Sequence, residues 1–102
     1  MKDNIQLSEQ IRPHAEEAAR FLKALAHPER LMILCHLVDG EQSAGELWRR
    51  STLSQSAFSQ HLGVLREERL VSCRKEAQTV FYQFNHPAAG QLLTVLKQNF
   101  CP

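Results

Sequence analysis

Cys35, Cys73 and Cys101 carry the thiol chemistry of this chain: a thiolate can be oxidised, attack a sulfur electrophile or hold a soft metal. No two of them form a Cys-x-x-Cys pair, and none falls in a Cys/His cluster with zinc-like spacing. The opening Met1-Lys2-Asp3-Asn4 lacks the apolar core of an export signal, so the expected compartment is the cytoplasm. Permanent disulfides are disfavoured there. Buried inert thiols and a redox pair are the two readings left open. Cys73 stands beside two cations, Arg74 and Lys75, that would favour its thiolate, yet it has no evident partner and reads as a plain strand residue.

A second constellation is built from neutral polar side chains. Gln55, Ser59 and Gly63 step by four, and Ser56 and Gln60 do the same, so a helix would carry all five on one face. Ser and Gln both donate to and accept from base edges, and Gln can pair with adenine through two bonds. The face has no Lys or Glu, which a merely solvated face would favour. Its small side chains also permit close approach to the floor of a major groove. Charge agrees with this locally. Between Arg49 and Lys75 stand six basic residues (Arg49, Arg50, Arg66, Arg69, Arg74, Lys75) against Glu67 and Glu68, although the whole chain carries a net charge of only +1. Arg74 and Lys75 fall on a hairpin where they could meet DNA phosphates, and Ser54 could join them at the start of the polar-faced helix. The other four arginines are further phosphate candidates whose orientation the sequence does not fix.

The elements that must hold these residues follow from periodicity and punctuation. Ile11, Ala15, Ala18, Leu22 and Leu25 recur at three- and four-residue steps, predicting an amphipathic helix from about Ser8 to Leu25, with Pro13 as a possible first turn. Ala26-His27-Pro28 breaks it, and a second helix is predicted from Pro28 to Val38 with Leu31, Leu34, Cys35 and Val38 on its apolar face. Asp39-Gly40 ends that helix. Ser43 with Glu46 three residues later is a capping box, opening a short helix to Arg50. Ser54 caps the next, to Glu68, which turns Ala57, Phe58, Leu62 and Leu65 toward the core. Val71 to Lys75 and Thr79 to Phe84 read as a hairpin. Pro87 opens a last helix striped by Leu92, Leu93, Leu96 and Phe100. The order α-α-α-α-β-β-α, mainly helical with a small hairpin, predicts a winged helix-turn-helix fold.

The 102 residues, 43% hydrophobic and 23% charged, suit one globular domain spanning 1–102. No apolar run is long enough for a membrane span, and none is expected. A core this small gains from burial between two copies. A homodimer is therefore expected.

Three segments resemble the ArsR/SmtB family of winged helix-turn-helix repressors: Ala26-His27-Pro28-Glu29-Arg30-Leu31, the block from Ser54 to Leu62, and the wing from Arg74 to Tyr82. The resemblance covers roughly Phe21 to Cys101. It implies a DNA-binding transcriptional regulator, commonly a repressor, that binds an inverted-repeat operator in double-stranded DNA as a homodimer paired through its first and last helices. In that frame Gln55, Ser56, Ser59 and Gln60 read bases, while Ser54, Arg74 and Lys75 meet the backbone.

Metal sensing is the family's familiar mode, but its ligands do not match. A Cys-x-Cys element in the third helix is replaced by Ser43-Ala44-Gly45-Glu46-Leu47. Asn85 and His86 open the last helix without a later His-x-x-Glu. No metal or other cofactor is expected. Cys35 and Cys101 instead resemble the dithiol of the persulfide- and redox-sensing branch, which includes HlyU-, SqrR- and BigR-like regulators. That likeness implies a Cys35–Cys101 pair responding to reactive sulfur species or oxidants, with both thiols expected to point inward on their helices' apolar stripes. A metal-responsive repressor is the first alternative. A thiol-based sulfur-transfer enzyme is the second, disfavoured because Cys-x-x-Cys is missing, so no enzymatic activity is expected. A winged helix used only for protein contacts would show an apolar or acidic face where this chain has a polar one.

Overall fold

Prolines mark where three helical segments begin. The computed structural model describes residues 2–102, with side chains from residue 6 onward. Helix α1 spans Lys2–Ile11, a 3-10 turn follows at Arg12–His14, and α2 spans Ala15–Leu25. The single first helix expected from the apolar spacing is thus two helices. Pro13 has no N–H and its ring crowds the preceding turn, so the chain tightens there and restarts. Pro28 opens α3, Pro28–His36, and Pro87 opens α6, Pro87–Phe100.

Both of those openings use a His-Pro pair in the same way. The Nδ1 of His27 accepts a hydrogen bond from the Glu29 amide at 3.1 Å, and the Nδ1 of His86 accepts from the Ala88 amide at 3.2 Å. Each imidazole thereby satisfies an amide that has no partner within the first helical turn.

Helix α3 stops two residues short of the expected Val38, because Leu37 closes it and Gly40, at φ +134°, reverses the chain. A two-residue strand, β1 (Gln42–Ser43), follows. It pairs with β3 (Thr79–Phe84), which pairs in turn with β2 (Val71–Glu76), giving an antiparallel sheet of order β1-β3-β2. The expected hairpin is therefore a three-stranded wing. The Gln42 side chain donates to the His36 carbonyl and fastens the added strand to the end of α3.

Between the strands lie α4, Ala44–Arg49, and α5, Gln55–Glu67. Helix α5 ends in a Schellman motif: the Leu70 amide donates to the Leu65 carbonyl at 2.9 Å, and the Arg69 amide to the Arg66 carbonyl at 3.0 Å. Arg69 occupies the left-handed position, φ 63°, where glycine is usual.

Leu34, Leu65 and Leu70 are completely buried at the centre, joined by Leu25, Leu37, Leu47, Phe58, Leu62 and Val71 from the surrounding elements. Phe58, Leu62 and Leu65 are the inward face expected of α5. The fork between Arg20 and Glu68, with Nε–Oε1 2.7 Å and Nη2–Oε2 3.0 Å, ties α2 to the end of α5 at the surface.

Candidate nucleic-acid interface

The helix pair is assembled by local hydrogen bonds that the sequence encodes directly. Ser43 Oγ accepts from the Glu46 amide at 3.1 Å, while Glu46 Oε1 reaches back to the Ser43 amide at 3.5 Å, completing the capping box on α4. Ser54 Oγ accepts from the Ala57 amide at 3.2 Å and caps α5. In the intervening turn, Ser51 Oγ accepts from the Leu53 amide at 2.9 Å, and the Trp48 indole donates to the Leu53 carbonyl at 3.1 Å. The angle between α4 and α5 therefore rests on a fixed turn rather than on packing alone.

On α5, Gln55, Ser56, Ser59 and Gln60 are all exposed, and their side chains make no hydrogen bond to the other described residues. Gln55, Ser59 and Gly63 also border an open cleft of about 340 Å³ shared with Trp48 and Tyr82. The Ser54 hydroxyl, although its oxygen is used in the cap, retains its O–H for an outside acceptor. Lys75 is exposed and makes no ion pair with any other described residue.

Arg74 is differently placed. Its Nε and Nη2 donate to the two carboxylate oxygens of Glu41 at 2.8 and 2.7 Å, and its Nη1 donates to Glu76 at 2.6 Å. The guanidinium also lies over the Phe81 ring, 4.6 Å from its centroid. These bonds hold the Glu41 carboxyl below the usual carboxylate range and strengthen the hold of Arg74 on its proton. Sequence reasoning found Arg74 but missed both carboxylates. Glu41 is 33 residues away, and no local spacing signals a partner at that distance.

The cysteines depart from expectation in one respect. Cys35 and Cys101 were expected to point inward, and both are exposed. Cys35 sits on the outer flank of α3 between the exposed Met32 and Val38, outside the narrower stripe of Ile33, Leu34 and Leu37 that reaches the core. Helix α6 ends at Phe100, so Cys101 leaves it in extended conformation. The two thiols nevertheless lie within electrostatic reach. Partial burial pushes the Cys35 thiol up, and the charge on Cys101 raises it further. Cys73 pairs in register with Tyr82 on the wing. Burial, and secondly the Cys73 charge, push the Tyr82 phenol up.

His86 is committed to capping α6 and stacks against Phe21, with ring centroids 4.7 Å apart. Among the described residues, no three His, Cys, Asp or Glu side chains come together as a metal-ligand set. No helix among them is long and apolar enough to cross a membrane.

A capped helix-turn-helix with an accessible neutral-polar second helix, backed by a three-stranded wing, defines the winged helix-turn-helix class of DNA-binding proteins. The model of the family described as bacterial regulatory protein, arsR family, matches residues 27–72. The chain is 44% identical over 94 residues to the HTH-type transcriptional regulator YgaV of Escherichia coli K12, covering 91% of this chain and 95% of that protein. Among solved structures it resembles reduced HlyU from Vibrio cholerae N16961, with TM-score 0.83 and 45% identity over 92% of this chain and 99% of that one. It likewise resembles the transcriptional repressor BigR from Xylella fastidiosa, with TM-score 0.85 and 42% identity over 92% and 96% of the two chains. The chain belongs to the arsR family, and is a DNA-binding transcriptional regulator rather than an enzyme.

Proposed function

We propose that two copies of this chain bind an inverted-repeat operator and that a Cys35–Cys101 dithiol switches that binding off, as in a thiol-responsive repressor. The observation that carries the DNA half is the row Gln55, Ser56, Ser59 and Gln60, exposed and free of internal hydrogen bonds on the second helix of the pair. These side chains read base edges in the major groove, while Ser54 and Lys75 meet phosphates on either side. Arg74 is a third backbone contact, reached through the exchange argued below.

Dimerisation is supported by apolar surface that one copy leaves open. On the outer faces of α1, α2 and α6, Ile11 is 48% exposed, Leu22 51%, Val95 50% and Phe100 79%. Pairing through these helices sets the separation of the two recognition helices, about 34 Å for adjacent major-groove half-sites. A small shift at that interface is enough to break the match.

The thiol half is supported by the influence of the Cys101 charge on Cys35 and by the likeness to a protein whose solved structure is described as its reduced form. Two-electron oxidation joins the sulfurs and releases two protons, the electrons passing to a peroxide, which is reduced to water, or to a sulfane-sulfur donor, which leaves as sulfide or thiol. Further sulfane sulfur from the donor can be retained between the two cysteines, so that they are joined directly or through added sulfur atoms. The bridge would fix the start of the DNA-reading body to the end of the dimer-forming helix.

The test is a gel-shift assay on a duplex selected from random DNA. Oxidant or organic polysulfide should weaken binding, dithiothreitol should restore it, and mass spectrometry should find Cys35 and Cys101 joined. Cys35→Ser and Cys101→Ser should each remove the response and preserve reduced-state binding, while Cys73→Ser should change little. Release that persists in both of the first two variants would overturn the dithiol.

A further inference from the structure

In the wing, three strands bring one arginine under the control of a distant carboxylate. Arg74 of β2 pairs in register with Phe81 of β3, and Phe81 pairs with Ser43 of β1. Residues opposite one another across neighbouring strands project to the same side of the sheet, and so do residues two apart along one strand. Glu41, immediately before β1, comes to the side on which Arg74 crosses Phe81. The result is the two-toothed fork already described, with Glu76 as a third anchor and the Phe81 ring beneath.

We propose that Glu41 is a specificity-determining residue for DNA binding, its carboxylate standing where a DNA phosphate must later sit on Arg74. This rests on the reading of α5 and the wing as the DNA face. Carboxylate and phosphate present the same pair of oxygens to a guanidinium, and Arg binds either through two parallel N–H bonds. Arg74 uses three of its five N–H bonds on Glu41 and Glu76, with the guanidinium over the Phe81 ring, so its donors are already oriented for an anion. The same contacts cancel charge. Glu41 and Glu76 offset Arg74 and Lys75, and the positive wing expected from sequence is locally neutral.

The exchange makes Arg74 conditional. On a matching site, base contacts from α5 draw the wing against the backbone, and a phosphate replaces Glu41. On other DNA that pull is missing, Glu41 stays in place, and Arg74 adds nothing to binding. Glu41 thereby suppresses the sequence-independent part of affinity more than the specific part.

Glu41→Gln keeps the shape of the side chain and removes its charge. It should raise affinity for scrambled duplex by about two- to fivefold, the range of one exposed ion pair. The salt slope on scrambled DNA should steepen by about 0.9, one phosphate contact, with little change of slope on the selected duplex. Adding Arg74→Ala to Glu41→Gln should return scrambled-DNA affinity to the starting value. Glu76→Gln should act in the same direction with smaller size, and thermal unfolding would verify that each variant is folded. Weaker binding of Glu41→Gln to both duplexes would make Glu41 a strut for the wing and overturn the proposal. So would an equal gain on both duplexes, or an unchanged slope on scrambled DNA. Failure of the underlying DNA face would look different: Gln55→Ala and Lys75→Ala would leave binding to both duplexes intact.

Discussion

The imidazoles of His27 and His61 meet with ring centroids 4.2 Å apart and planes inclined by 45°, joining the first turn of α3 to the middle of α5. Burial holds the His61 ring below the usual histidine range, the charges of His27 and Arg30 push it lower, and Glu29 opposes them. A histidine kept neutral by the fold contributes stability that is complete above its unfolded value, about 6.5. That stability is lost as pH falls from there toward the lower folded value. Urea midpoints should therefore decline as pH falls below about 6.5, and His61→Gln should flatten the decline. An equally steep decline in that variant would assign the acid sensitivity elsewhere.

The thiols make a separate prediction about ionisation. Burial is the larger cause of the raised Cys35 value and the Cys101 charge the smaller. Cys101→Ser removes only the second. The pH at which Cys35 ionises, followed by thiolate absorbance in a Cys73→Ser background, should move down on that substitution but stay above that of an ordinary thiol. No movement would mean that the two sulfurs are too far apart to sense each other, and the dithiol bridge would then require a rearrangement of α3 against α6.

Recognition and attachment should separate under mutation. Gln55→Ala or Ser59→Ala should each reduce the preference for selected over scrambled duplex by roughly 1–3 kcal/mol, the worth of one well-formed pairing with a base edge. Lys75→Ala should weaken both complexes and lower the salt slope by about 0.9. Titrations of each variant against both duplexes at several salt concentrations would measure this. Unchanged preference in both α5 variants would remove that face from base reading.

Arg69 offers a prediction about stability alone. It holds the left-handed position that closes α5, at φ 63°, where a side chain is strained and glycine is not. Arg69→Gly should raise unfolding free energy by about 0.5–1 kcal/mol, because relief of strain at such positions exceeds the extra freedom glycine gains when unfolded. Denaturant melts would register the gain. A decrease would show that the Arg69 side chain, rather than its backbone, secures the turn into β2.

The helix-turn-helix was legible because its signals are local. Ser43 with Glu46, Ser54, Pro28 and Pro87 each act within one helical turn, and each appears where the sequence places it. The apolar face of α5 was legible for the same reason. What escaped depended on contacts between segments distant in the chain. Strand β1 is two residues long, too short to show alternation, and exists because β3 offers it an edge. The Glu41 carboxylate on Arg74 and the meeting of His27 with His61 are likewise products of tertiary structure. The spacing of Leu31, Leu34, Cys35 and Val38 places Cys35 on an inward stripe, but the core takes Ile33, Leu34 and Leu37, and about a hundred degrees of helical rotation separate Cys35 from Leu34. That rotation carries Cys35 out of the core.

The Gln55, Ser56, Ser59 and Gln60 side chains touch no hydrogen-bond partner in the rest of the described molecule, whereas Ser54 beside them is bound into the helix cap. Substitutions at positions without structural ties usually alter folding by no more than about 0.5 kcal/mol in either direction. The scaffold is consequently indifferent to what this row spells. Under the base-reading role proposed for this row, a lineage could rewrite its target sequence one side chain at a time without endangering the core, while the neighbouring serine remains fixed by the helix it starts. Divergence in the operators of such proteins should accordingly outpace divergence in their architecture.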